Sequence, residues 1–381
     1  MKQSYFTFLA VFSLTLPAHS QTIDTLVNVG GFNMHFNIIK GEGTPILFEA
    51  GGGDDSSVWT SILERIHKVT GTTQITYDRS GFGQSELNPA LKNDSDFGIE
   101  NGIKELETAL AKLGYKNEII LVSHSYGGLY NLLYANKHPK KVKSIVLIDA
   151  TLSDFWNEDL LAMRDMFVDI NTIPKGTGDY YLNFNYNEIM RSLRKTQFPD
   201  NIPVTNIFPD KSAPVYPEEY ANRWKKVHVD LGTQNNNVTN IIAESSSHAI
   251  FSDNPALVIN AIIKAYSETL HENQQNAVLL KAIDNAIELS IETKVHNRSE
   301  YDLNTLGYSF LQTQELDKAL DVFKTTTLLF PESANAYDSY GEALLLADKK
   351  TEAIEMYEKS IALNPDNEHG KEVLLMLKEK E

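Results

Sequence analysis

The stretch Leu121-Val122-Ser123-His124-Ser125-Tyr126-Gly127-Gly128-Leu129 decides the fold. It continues an apolar run, Ile119-Ile120-Leu121-Val122, that lacks polar alternation and therefore reads as a strand buried on both faces. From Leu129 the apolar residues fall at helical spacing as far as Lys137, where His138-Pro139 ends the run. A chain that passes from strand to helix in so few residues must bend sharply, and the residue at the bend is held in a strained backbone conformation. Small residues two positions before and after it are then needed so that strand and helix can approach. Ser123 and Gly127 meet that need around Ser125. The bend holds the Ser125 hydroxyl clear above the sheet, beside the positive end of the following helix. Ser125 is the candidate nucleophile.

Working outward, Ser144-Ile145-Val146-Leu147-Ile148 does not alternate with polar residues and reads as a second fully buried strand, so strand, helix and strand form a right-handed βαβ unit in a mostly parallel sheet. Ile46-Leu47-Phe48, stopped by Gly51-Gly52-Gly53, and Gln74-Ile75-Thr76-Tyr77, stopped by Asp78-Arg79-Ser80-Gly81, add two more strands. In such sheets the chemistry gathers at the carboxyl ends of the strands.

Here the chain resembles the α/β-hydrolase family, from about Gly31 to Leu270. The elbow is written Ser-x-Ser-x-Gly where the family usually has Gly-x-Ser-x-Gly. Phe48-Glu49-Ala50-Gly51-Gly52-Gly53 resembles the loop that supplies an oxyanion-hole amide. Tyr77-Asp78-Arg79-Ser80-Gly81-Phe82-Gly83-Gln84-Ser85 resembles the family's Asp-x-x-Gly-x-Gly-x-Ser loop, and Ser247-His248 with Asp253-Asn254-Pro255 resembles its histidine loop.

The resemblance implies an α/β-hydrolase fold, a mostly parallel sheet with a helical cap. It also implies His248 as general base and the backbone amides of Gly52 and Tyr126 as the oxyanion hole. For the acid that orients the histidine, Asp210 follows the strand-like Val204-Thr205-Asn206-Ile207-Phe208 and keeps the family's chain order. It is preferred to Asp149, which ends the strand after the nucleophile helix. Glu49 stands where the family usually carries His. His124 reads as packing. Residues 151–200 interrupt the sheet pattern as a cap does, and most of their large apolar groups, among them Phe155, Trp156, Met163, Met166, Phe167, Tyr180, Tyr181, Phe184 and Tyr186, are expected to form the cap's own core.

A second region repeats. Leu306-Gly307, Ala319, Phe323 and Pro331 recur 34 residues later as Tyr340-Gly341, Ala353, Tyr357 and Pro365. This resembles a pair of tetratricopeptide repeats, helical hairpins in which Gly and Ala allow close approach and aromatics fill the interface. A helix bearing Leu279, Ile283, Ile287 and Ile291 should pack on them or tie them to the hydrolase, and a last helix should run over 368–380. The repeats imply either a peptide- or protein-binding surface or a stabilising or dimerising appendage.

Composition bounds the function. With 42% hydrophobic and 22% charged residues the chain can bury a real core. A net charge of −17 argues against nucleic acid and anionic lipid as partners. The absence of cysteine excludes disulfides, thiol catalysis, zinc–thiolate sites and lipoprotein anchoring. Lys2, the apolar run over residues 5–16, Pro17 and Ala18-His19-Ser20 read as a signal peptide, predicting export to the periplasm or the exterior with Gln21 first, and no transmembrane anchor. The expected organisation is a signal peptide over 1–20, a hydrolase domain over 21–271 and a helical repeat domain over 272–381.

The function expected is a serine hydrolase cleaving small carboxylic esters without metal or organic cofactor. The alternatives are an amide-cleaving, prolyl aminopeptidase-like enzyme, and a non-catalytic protein that binds peptides through its repeats.

Overall fold

The computed structural model describes residues 21–210, 218–293, 296–312 and 314–378; the expected signal peptide lies outside them. The chain forms two compact units, one running to His248 and one beginning at Ala249.

The first unit is built on β1 (Thr22–Asn28), β2 (Asn33–Ile39), β3 (Ile46–Glu49), β4 (Gln74–Tyr77), β5 (Ile119–His124), β6 (Val142–Ile148), β7 (Val204–Pro209) and β8 (Val238–Ala243). They make an 8-stranded sheet in the order β1-β2-β4-β3-β5-β6-β7-β8. β1, β2 and β4 pair antiparallel, and every pair from β4 to β8 is parallel. The fully apolar runs at Ile46, Ile119 and Ser144 are the central strands β3, β5 and β6. Alternating exposure marks β1 as an edge strand.

Helices α1 (Thr60–Thr70), α2 (Ile99–Leu113) and α3 (Gly127–Lys137) follow β3, β4 and β5, as parallel crossovers require. Between β6 and β7 the cap carries α4 (Glu158–Phe167) and α5 (Gly178–Leu193), and α6 (Glu218–Gln234) joins β7 to β8. The core is continuous from Phe36 and Leu47 through Leu121, Leu129 and Leu147 to Phe155 and Trp156. Of the large cap residues expected to be buried, only Phe155 and Trp156 are. Met166 and Phe167 are 83% and 81% exposed, and Phe184 also faces solvent. α4 buries Leu160 and Leu161 and α5 buries Ile189, Met190 and Leu193 in their place.

The second unit is helical: α7 (Ile250–Asp253), α8 (Pro255–Ser267), α9 (Glu272–Thr293), α10 (His296–Gln312), α11 (Leu316–Leu329), α12 (Ala334–Leu346), α13 (Lys350–Leu363) and α14 (Glu368–Lys378). Within this unit α8 packs along α9. The 34-residue offset reappears in the contacts. A Cβ on Gly307 would lie 2.5 Å from the Phe323 ring, and one on Gly341 would lie 2.9 Å from the Tyr357 ring. Ala319 and Ala353 are fully buried at matching positions. Ile283 of α9 clusters with Leu303 and Val322, so that helix packs on the first hairpin.

Candidate active site

β5 and β6 end side by side, and both ends are strained. Ser125 has φ 50° and Asp149 φ 40°, a left-handed conformation that costs a residue with a Cβ on the order of 1–3 kcal/mol. Backbone hydrogen bonds hold each in place. Ser125 N–H donates to Ile148 O (3.2 Å), Ser125 O accepts from Gly128 N–H (2.9 Å) and Thr151 N–H (2.8 Å), and Asp149 N–H donates to Ile207 O (2.7 Å). The first turn of α3 sits tightly in this corner. A Cβ on Gly127 would meet Ala50 O at 2.6 Å and Glu49 O at 2.7 Å, so only glycine lets α3 approach the end of β3.

His248 Nδ1–H donates to Asp149 Oδ2 at 2.6 Å. The carboxylate is buried, whereas the imidazole is 40% exposed and accessible to a ligand. Asp149 Oδ1 accepts from the Trp224 indole N–H at 2.7 Å, and His228 Nε2 lies 3.6 Å from it. The ring of His124, the residue before Ser125, packs on the His248 ring with centroids 4.5 Å apart, and its Nε2–H donates to His248 O at 3.0 Å. His124 therefore fixes the histidine loop as well as packing beneath it. No hydrogen bond joins Ser125 Oγ to His248 among the described residues, a separation common before substrate binds.

The preference for Asp210 as the histidine's partner is overturned. Asp210 follows β7, its N–H bonds Ala243 O at 3.2 Å, and its Oδ1 is buried with no hydrogen-bond partner among the described residues. β6 is the direct neighbour of β5, and β7 lies one strand further from Ser125. Asp149 instead has both oxygens held, one by His248 and one by the Trp224 indole N–H, whereas Asp210 Oδ1 has no such donor among the described residues.

Burial sets the protonation of the surrounding imidazoles. It pulls His124 down to about 4, aided by the charge of His248. It pulls His228 down to about 4 against the opposing pull of Asp149. Both are neutral at pH 7.

Gly52 and Tyr126 adjoin: a Cβ on Gly52 would sit 3.3 Å from Tyr126 Cβ. Neither amide donates a hydrogen bond among the described residues, so both remain available to a ligand. Beside them a cavity is lined by Arg79, Phe82, Phe97, Tyr126, Tyr181 and Leu182. Glu49, where the family usually has His, is buried and accepts from Tyr77 OH and from Arg79 Nη1 (2.7 Å). Burial pushes the Glu49 carboxyl above the usual range, against the pull of Arg79. Trp224 and the Glu49–Arg79 pair escape sequence reading, because each acts across a long chain separation with no local signature.

The model of the alpha/beta hydrolase fold matches residues 44–261, more than half of the chain. The uncharacterized protein YqjL of Bacillus subtilis is 27% identical over 270 residues, covering 70% of this chain and 99% of that protein. A proline iminopeptidase of Lactobacillus delbrueckii subsp. lactis is 28% identical over 186 residues, 46% of this chain and 60% of that enzyme. A haloalkane dehalogenase of Agrobacterium fabrum is 26% identical over 134 residues, 35% of this chain and 41% of that one. The match thus spans nearly all of YqjL but less than two thirds of either enzyme. With its parallel sheet, sharp turn at Ser125 and carboxylate-held His248, the chain belongs to the α/β-hydrolase fold family.

Proposed function

We propose that the protein is a serine hydrolase that cleaves carboxylic esters through an acyl-enzyme on Ser125. Ser125 Oγ attacks the carbonyl, His248 takes its proton and returns it to the leaving alcohol, and Asp149 fixes the imidazole tautomer and stabilises the imidazolium. The Gly52 and Tyr126 amides receive the oxyanion, and water then releases the acid. The observation that carries this reading is His248 held by the carboxylate of Asp149, which follows the strand beside that of the strained Ser125. A hydroxyl nucleophile also favours acyl transfer over displacement at a saturated carbon. The latter would leave a stable ether on Ser125 that water cannot reopen, so the dehalogenase chemistry of one relative does not carry over.

A second reading, amide cleavage next to a substrate ammonium, is favoured by two carboxylates at the glycine loop. Asp54 Oδ2 lies 2.6 Å from where a Gly51 Cβ would stand, and Asp179 Oδ1 lies 3.6 Å from the Gly53 position. It also agrees with the name of the Lactobacillus relative.

A fluorophosphonate probe should label the protein and fail to label Ser125→Ala; equal labelling of the variant removes Ser125 from its role. Hydrolysis of p-nitrophenyl acetate and butyrate, compared with Pro-naphthylamide, separates the readings, and a preference for the amide overturns the ester. Export is part of the proposal, tested by N-terminal sequencing of the secreted or periplasmic protein, which should begin at Gln21. The repeat pair is proposed as a tetratricopeptide-like surface.

A further inference from the structure

We propose that Arg79, braced by Glu49, is a positioning residue that presents both donors of the oxyanion hole; this rests on the acyl-transfer reading above. The guanidinium is buried at the junction of three segments. Its Nη1 donates to Glu49 Oε1 and to Ala50 O, each at 2.7 Å, and its Nη2 donates to Gly51 O. Gly51 O also accepts from Asp54 N–H at 3.4 Å, which closes the loop into a turn.

The Gly51–Gly52 peptide is trans, as is every described peptide bond. In a planar trans amide the C=O and the next N–H point in opposite directions. Drawing Gly51 O toward Arg79 therefore turns the Gly52 N–H away from it, and that N–H remains unspent. The other donor is reached through a ring: the guanidinium carbon lies 5.7 Å from the centre of Tyr126, whose own amide is the second unspent donor. The rings of Phe82 and Tyr130, at 5.2 and 5.5 Å, hold the guanidinium plane from its other contacts.

Glu49 gives the arrangement its rigidity. One carboxylate oxygen takes Arg79 and the other takes the Tyr77 hydroxyl, so the acid cannot rotate. Paired with a carboxylate, Arg79 presents little net charge to the oxyanion, and its effect is the geometry it imposes. Two guanidinium nitrogens held in one plane reach a carboxylate and two carbonyls in a fixed direction, whereas the three donors of an ammonium diverge from one atom and fix no such plane. This accounts for a carboxylate at position 49.

The test uses the full chain with R79K, which keeps the charge and loses the fork. It also uses E49L/R79M, which removes the buried pair together and so avoids stranding one charge. Thermal melting confirms that each is folded. On a p-nitrophenyl ester the folded variants should lose roughly 10²-fold in kcat, the scale of one oxyanion donor, with KM little changed. Affinity for butylboronic acid, whose tetrahedral adduct on the serine needs the hole, should fall in parallel. A folded double variant with unchanged kcat and unchanged boronate affinity overturns the positioning role, as does R79K with wild-type kcat. Full activity in Ser125→Ala overturns the acyl-transfer reading and this inference with it, whereas an inactive Ser125→Ala beside an unaffected R79K overturns the inference alone.

Discussion

Asp149 Oδ2 lies 2.6 Å from His248 Nδ1, so the carboxylate that orients the imidazole comes from β6, the strand beside the nucleophile's own. Asp149→Asn can present an amide N–H where the histidine needs an acceptor, selecting the wrong tautomer. Its kcat on esters should fall by about 10⁴-fold. Asp210→Asn should leave kcat unchanged. Steady-state kinetics of the two variants decide between them, and the opposite ranking would return the role to Asp210.

The second oxygen of Asp149 depends on Trp224. Trp224→Phe keeps the ring packing against Phe155, whose centroid is 4.9 Å away, and deletes only the indole N–H. A hydrogen bond to a charged group is worth about 1.5–3 kcal/mol. The variant should therefore melt several degrees lower and lose on the order of tenfold in kcat. A variant with wild-type kcat would show that His248 alone holds the acid.

Gly127→Ala tests the fit of the elbow. The added methyl would stand 2.6 Å from Ala50 O, a backbone atom that cannot swing aside. Overpacking of this kind costs about 1–3 kcal/mol, and relief requires α3 to withdraw from β3, separating the Tyr126 amide from Gly52. Denaturant unfolding should show that loss, and ester turnover should fall with it; a stable, fully active variant would refute the close approach.

The buried imidazoles predict how stability varies with pH. His228 titrates near about 4 in the folded protein against an ordinary 6.5. Between those values the unfolded chain binds the proton and the folded one does not, so stability is intact above pH 6.5 and drains away as pH falls toward 4. One such group accounts for on the order of 3 kcal/mol, and His124 adds a second with the same sign. Glu49 and Glu105, whose carboxyls burial raises, titrate with the opposite sign. Comparing His228→Gln with the wild type isolates one contribution. The variant should show a flatter slope of unfolding free energy between pH 6.5 and 4, and identical slopes would place His228 in water.

Much of the sheet was legible along the chain. Ile119-Ile120-Leu121-Val122 and Ser144-Ile145-Val146-Leu147-Ile148 are apolar on both faces, a pattern that specifies a buried parallel strand without reference to neighbours. The bend at Ser125 was legible for a similar reason, since small residues on both sides are a local steric demand. The alternating β1 and β2 were harder to place, because an edge hairpin gains its stability from whichever strand lies next to it.

The partners of the site were not legible. Two aspartates, 149 and 210, each follow a strand before His248 in the chain, and linear order cannot rank them. Strand order alone cannot either, since β6 adjoins the nucleophile's strand and β7 adjoins the strand before His248; the tertiary contacts rank them, with Asp149 Oδ2 2.6 Å from His248 Nδ1 and its other oxygen held by Trp224. Glu49 and Arg79 are 30 residues apart, and Trp224 and Asp149 are 75. Periodicity and turn chemistry act within a few residues, so they write strands, bends and caps into the chain directly. Hydrogen bonds between distant segments come into being only when the sheet brings those segments to one edge.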